Sequence, residues 1–277
     1  MISTMYTGLW FDSEPLFYGI LLLVSLGIAL LVFVILFFVT AGYGRHTTKH
    51  WGPRMNTHLG WFLMEIPTVL VVGICFIFSD KLTSITHYAF IAIWLTHYAH
   101  RVFIYPFQIR NGKKITLTVV AMGFVFNLIN AYIQARWLFT LTDYTNELLF
   151  PISNATYDAR WLYSPQFIIG TIIFIGGYFI NKQSDHILRN LRKPDDVDNG
   201  YKIPYGGLYK RLSCPNYLGE IVEWIGWAIL TWSLAGAYFV FWTTANLLPR
   251  AIANHKWYKE NFDDYPEERK ALIPFLL

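Results

Sequence analysis

Residues 16–40 read LFYGILLLVSLGIALLVFVILFFVT, without one charged side chain. A helix that spans the hydrocarbon core of a bilayer needs about 20 consecutive apolar residues, so this run decides the class of the chain. Asp12 and Glu14 precede it where a cleaved leader would carry basic residues, which argues for a retained helix. The composition agrees. Of 277 residues, 55% are hydrophobic and only 14% charged, against roughly 25% charged in an ordinary soluble domain.

Working outward, four further runs have spanning length: Leu59–Phe78, Ile85–Tyr105, Ile115–Leu141 and Pro165–Asn181. The stretch Tyr217–Leu248 is too long for one helix and short for two. Basic residues settle the parity, because cytoplasmic loops carry an excess of Lys and Arg. Segments 40–57, 101–114, 182–211 and the tail after Pro249 together hold 19 of the 22. The expectation is an all-α, polytopic bundle of about seven transmembrane helices, N-terminus outside and C-terminus cytoplasmic, with the last two helices broken near Ser233–Gly236. It forms a single domain over 1–277, with an outer segment 1–14, a cytoplasmic loop 182–216 and a cytoplasmic tail 250–277. Such a chain is an integral, multi-pass membrane protein, in the endoplasmic reticulum of a eukaryote or the inner membrane of a bacterium. Monomer is the default state. The net charge of +4 gives no reason to expect nucleic acid.

Several chemistries are excluded. Cys75 and Cys214 lack a partner spacing for zinc or a disulfide framework and are read as packing residues. The histidine pairs His46/His50 and His97/His100 come without a third box, an HH doublet or repeated Glu-x-x-His, so no metal is expected. No GxSxG elbow is present, and GYG at 42–44 is too short for a dinucleotide glycine fingerprint. Asn154-Ala-Thr is a glycosylation triplet on the expected outer side.

Ionisable groups inside membrane helices are functional candidates by default. The second run carries Glu65 followed by Pro67, the third His97-Tyr-Ala-His-Arg101, the fourth Asn127, Asn130, Gln134 and Arg136, and the sixth opens with Asn216, Glu220 and Glu223. The amides could equally serve as interhelical glue. Pro67 reads as a tolerated kink whose freed carbonyls find neighbours. Arginines toward the cytoplasmic ends, mixed with Asn and Tyr, suit a phosphate-bearing ligand as well as a topology signal.

The motifs NYLGEIVEWIGWAILTWS (216–233) and KWYKENFDDYPEERKALIPFLL (256–277) resemble the steroid 5α-reductase family. GYGRHT (42–47), WFLMEIP (61–67), HYAHRVFIYP (97–106), SDHILRNLRKP (184–194) and YKIPYGGLY (201–209) are similar to its landmarks, in order. The resemblance implies an NADPH-dependent oxidoreductase that reduces the Δ4 double bond of a 3-oxo steroid entering from the bilayer. It further implies Glu65 and Tyr98 as the catalytic pair, hydrogen-bonding the C3 carbonyl, with Trp61 one helical turn before Glu65 against the steroid. A carboxyl desolvated among apolar side chains favours its neutral form, in which it donates beside Tyr98 or orients it. For NADPH the resemblance implies Arg101, Tyr105, Arg110, Asn181, Asp185, Arg192, Tyr201, Asn216, Glu220, Arg250, His255, Tyr258 and Arg269. Lys202 and Asn254 depart from the mammalian steroid enzymes, which carry arginine and histidine there. The competing expectations are a reductase of another lipid enone or enoyl substrate (polyprenol or trans-enoyl-CoA type), a lipid methyltransferase, and a sterol-binding or transport protein.

Overall fold

The structure is a computed structural model that describes residues 10, 12–39, 52–109, 114–143, 156–191 and 201–277. Among these the chain is mostly helical: α1 (Glu14–Phe38), α2 (Thr57–Glu65), α3 (Pro67–Ile77), α4 (Ile85–Ala99), α5 (Tyr105–Gln108), α6 (Leu117–Phe139), α7 (Pro165–Asn190), α8 (Pro215–Thr231) and α9 (Leu234–Asn261). By length and composition α1, the continuous pair α2–α3, and α6 can each cross a membrane. A two-residue antiparallel ladder, β1 (Arg54–Met55) with β2 (Ile115–Thr116), ties the segments that precede α2 and α6.

Local chemistry sets the boundaries. Asn56 accepts from the Leu59 amide to start α2, and Ser164 accepts from Phe167 to start α7. Pro67 divides α2 from α3, and the carbonyls at the break find partners. Asn127 Nδ2 donates to Met64 O at 2.7 Å, and Thr68 Oγ1 to Glu65 O at 2.6 Å. Pro106, which has no amide to give, follows a π turn over His100–Ile104 that widens the register between α4 and α5. The long C-terminal run breaks at Trp232, which closes α8 in the left-handed region (φ 44°), after which Ser233 caps α9 by accepting from Gly236. α7 persists to Asn190, well past the apolar run ending at Asn181, so the first part of the 182–216 segment is helix. Its buried Asn181, Ser184 and Asp185 keep one face packed after the hydrophobicity fades.

Tryptophan dominates the core. Trp94, Trp224, Trp227, Phe90, Phe174 and Phe239 bring α4, α7, α8 and α9 together in tilted and edge-on contacts, such as Trp224–Phe239 at 4.2 Å between centroids. Their polar edges are used too. Trp94 Nε1 donates to Thr68 O at 3.0 Å, and Trp227 Nε1 to Gln134 Oε1 at 2.9 Å, while Gln134 Nε2 donates to Ala235 O at 2.7 Å. Gln134 therefore joins α6, α8 and α9, as interhelical glue does.

α7 and α8 lie backbone to backbone. Glycines facing each other in two pairs allow it: a Cβ on Gly177 would stand 2.6 Å from Gly219 O, and one on Gly226 would stand 2.6 Å from Gly170 O. Opposing small residues that let helices approach are a membrane packing device. Gly177→Ala should destabilise the purified protein by about 1–3 kcal/mol through overpacking. That outweighs the roughly 0.5–1 kcal/mol that alanine gains in a helix. Gly176→Ala has nothing within 4 Å of its added Cβ and should be neutral or mildly stabilising. Comparing the thermal unfolding of the two variants checks the argument.

Candidate active site

The close approach of α7 and α8 puts polar residues from both helices next to the end of α4. Glu65, at the last turn of α2, is buried, and both its oxygens accept hydrogen bonds: Oε1 from Arg101 Nη2 at 3.3 Å and Oε2 from Asn127 Nδ2 at 3.2 Å. Its surroundings are thus not apolar alone. Two donors from two different helices therefore fix the orientation of the carboxyl.

Tyr98 lies on α4, with Trp94 one turn before it at 4.6 Å and Trp224 at 5.7 Å between centroids. Its phenol makes no hydrogen bond among the described residues, although Glu65, Glu220 and Arg101 lie within electrostatic reach. It therefore has a proton to offer a ligand. Arg101 stands between Trp61 and Tyr105, its guanidinium 5.0 Å and 4.9 Å from their ring centroids, and the two rings meet edge-on at 5.2 Å. The charges of Glu220 and Asp185 also bear on Arg101. The π turn over His100–Ile104 lies between Tyr98 and Tyr105 and carries Arg101 to a position between the Trp61 and Tyr105 rings.

A second group continues along α7 and α8. Asn181 Nδ2 donates to Asn216 O at 3.0 Å, and Asn216 Nδ2 donates to Asp185 Oδ1 at 3.4 Å. Lys182 approaches His100 Nδ1 at 3.1 Å and lies over the Tyr178 ring. Beneath them, His97 Nδ1 and Glu223 Oε1 meet at 2.8 Å, both buried.

A third group is built by the chain end. The segment 269–272 runs beside 211–214: Lys270 N donates to Arg211 O, and Ser213 N to Lys270 O. Ser213 Oγ lies 3.1 Å from Lys270 O and 2.6 Å from both Tyr265 Oη and His255 Nδ1, so one hydroxyl ties together the chain end, the tail and α9. Burial, then Lys259 and Lys270, hold the imidazole below its ordinary pKa, so it is neutral at pH 7. Tyr258 stacks on Tyr265 at 5.2 Å with the planes 5° apart, and Tyr201 meets Trp257 edge-on. Arg269 is only 1% exposed, between Tyr205 at 4.8 Å and Tyr265 at 5.2 Å, and none of its guanidinium nitrogens has a hydrogen-bond acceptor among the described residues. Gly206 and Gly207, both at positive φ (98° and 48°), make the turn that puts Tyr205 over Arg269 and Tyr209 inward. Buried Tyr209 lies within electrostatic reach of Asp185 and Tyr258 and so stands between the second and third groups. Arg250 sits on α9 just after Pro249.

Residues 113–277 match the model of the 3-oxo-5-alpha-steroid 4-dehydrogenase family. A steroid 5-alpha-reductase of Gossypium hirsutum is 41% identical over 96% of this chain and 99% of its own. The 3-oxo-5-alpha-steroid 4-dehydrogenase 1 of Macaca fascicularis is 39% identical over 84% of each chain. The chain belongs to the 3-oxo-5-alpha-steroid 4-dehydrogenase family. It is an oxidoreductase.

Of the site residues expected for a member of this family, Arg110 and Arg192 lie outside the described residues, as does the 42–47 motif. The others fall into the three groups, with Arg250 nearby on α9. The sequence reading passed over Lys182, Tyr209 and the His97–Glu223 contact. Glu223 follows Glu220 by three residues, which puts both on one face of α8, a signal that could have found it. Tyr209 closes the YKIPYGGLY stretch, whose turn packs on Gln183 and Ile187 of α7, and its burial is not marked by its neighbours in sequence.

Proposed function

We propose that this chain reduces the Δ4 double bond of 3-oxo-Δ4 steroids of the testosterone or progesterone type, using NADPH. The carrying observation is Tyr98, a buried phenol without a hydrogen-bond partner among the described residues, set beside a carboxyl that Arg101 and Asn127 hold in place. NADPH, when bound, supplies the hydride that C5 receives. As that bond forms, negative charge grows on the C3 oxygen, and donors aimed there beforehand lower the barrier. Tyr98 Oη is that donor. Glu65 orients it electrostatically while Arg101 keeps the carboxyl from turning away. Trp61, on the same helix face as Glu65, offers a flat wall to the steroid.

The residues present fit NADPH. Arg269 carries a buried guanidinium whose planar fork suits two phosphate oxygens, and Tyr205 and Tyr265 hold it from either side. Asn181, Asp185, Asn216 and Glu220 suit ribose hydroxyls and a carboxamide. Arg101, Tyr105, Tyr201, Arg250, His255 and Tyr258 complete the pocket, with Arg110 and Arg192 from segments outside the described residues.

In this reading the bundle crosses the membrane seven times, N-terminus outside and C-terminus cytoplasmic, as a monomer. The membrane is the endoplasmic reticulum of a eukaryote or the inner membrane of a bacterium. Substrate enters from the lipid and cofactor from the cytoplasm. Arg269→Ala should weaken NADPH binding about 10- to 100-fold, the worth of hydrogen bonds to a charged group, as read by equilibrium binding to purified protein. Product analysis decides the reaction. Testosterone or progesterone with NADPH should yield the 5α-3-oxo steroid. Bound NADPH with no steroid product would move the substrate to another lipid enone.

A further inference from the structure

The C-terminal segment ends in a turn that the reductase reading leaves without a task. Leu276 N and Leu277 N both donate to Ile273 O, and Phe275 turns the chain at φ 66°. This hook holds its apolar side chains outward: Phe275 is 80% exposed and Leu276 77%. The residues just before it are anchored. Ala271 and Leu272 are buried with Ile221, Leu247 and Ala251, at the level where α8 begins and α9 passes the end of its apolar run. On the membrane topology proposed above, on which this inference rests, that is the cytoplasmic headgroup level.

Basic side chains gather around the same hook. Lys210, Arg211 and Lys270 are exposed beside it, and the Arg211 guanidinium lies 5.4 Å from the Phe275 ring centroid. The exposed acidic residues of the tail, Asp263, Asp264, Glu267 and Glu268, follow Phe262, which packs with Tyr258 and Tyr265 near the far end of α9. Apolar tips with basic neighbours at one level are complementary to a leaflet with anionic headgroups.

We propose that the hook at Ile273–Leu276 is an interfacial anchor, its apolar side chains in the bilayer and Lys210, Arg211 and Lys270 on anionic lipid headgroups. Because Arg269 immediately precedes the anchored strand, the anchor also steadies its guanidinium. Lipid composition thereby acts on the cofactor site without any contact between lipid and cofactor.

The test uses the full chain in nanodiscs of phosphatidylcholine alone or mixed with phosphatidylserine. A fluorophore goes on Phe275→Cys. Both native cysteines are buried, and wild type treated with the same reagent serves as the blank. Quenching by spin-labelled lipid, stronger in the mixed discs and weakened by Lys210→Gln, Arg211→Gln and Lys270→Gln together, is the expected result. Quenching by aqueous iodide instead, or shielding from both quenchers, would overturn the anchor. Equal lipid quenching in the two discs would overturn the anionic preference. A second readout addresses the coupling. Phe275→Asp with Leu276→Asp should raise the NADPH KM about tenfold if the competent position of Arg269 falls to about a tenth of the population, with kcat nearly unchanged. An unchanged KM would overturn the coupling. Absence of any steroid turnover in wild type would fail the proposed reaction while the quenching still reports on the hook.

Discussion

Tyr98→Phe should lower kcat for a 3-oxo-Δ4 steroid about 100- to 1,000-fold, the usual cost of removing one donor from a developing oxyanion. NADPH binding should persist. The variant keeps the ring that packs on Trp94 and Trp224 and deletes only the hydroxyl, which makes no hydrogen bond among the described residues. Stability should therefore hardly change, and the loss should fall on kcat. Glu65→Gln is a different kind of probe. Its two oxygens face two donors, Arg101 and Asn127, so an amide must turn its NH2 toward one of them. Turnover should fall, and because Asn127 also holds the Met64 carbonyl, some destabilisation should accompany it. Single-turnover rates with steroid, beside equilibrium NADPH binding, separate the two effects. Undiminished turnover by Tyr98→Phe would remove the tyrosine from the reaction.

The second large effect concerns the opposite end of α6. Glu14, at the start of α1, accepts from Arg136 Nε at 2.6 Å, Arg136 Nη2 at 2.9 Å, Tyr132 Oη at 2.9 Å and Trp10 N at 2.8 Å. Both members of the pair are fully buried, and the guanidinium lies 4.3 Å from the Trp10 ring centroid. Removing one partner leaves the other charge buried without compensation, so Glu14→Ala should destabilise the protein by about 3–5 kcal/mol. Replacing both, as Glu14→Leu with Arg136→Met, should recover most of that, because a well-packed apolar pair of similar volume is often no worse than the ion pair. Thermal unfolding of the single and double variants in nanodiscs measures this directly. The substrate KM should stay near wild type, since Arg136 lies about 14 Å along α6 from Asn127. If the single and double variants prove equally unstable, the ion pair is not what holds α1 to the bundle.

Much of this architecture is legible without coordinates. The apolar runs anticipate the helices because a segment in lipid must satisfy its own backbone, and local caps such as Asn56, Ser164 and Ser233 set ends within reach of the motif reading. Pro67 is readable as a kink, and the spacing of Trp61 and Glu65 as one helix face. The family is legible too, in motifs that run from Gly42 to the C-terminus, because those stretches combine rare polar residues with fixed spacing.

Other features depend on distance across the fold. Glu14 looked like a flanking charge and Arg136 like one more polar residue of α6; only packing places them within 2.6 Å across more than a hundred residues of chain. Whether Asn127 was glue or site could not be read from α6 alone, since it does both, touching Met64 O and Glu65 Oε2 at once. The glycine pairs Gly177/Gly219 and Gly170/Gly226 are informative only when facing each other. Arg269 lies far along the chain from Asp185, and only the pairing of segment 269–272 with 211–214, just before α8, brings it to this end of the bundle. Helix periodicity and capping are written in neighbours one to four residues apart, so a sequence can specify them locally. A buried ion pair or a cofactor pocket is specified by which helices share a wall, and that follows from the packing of side chains distant in sequence.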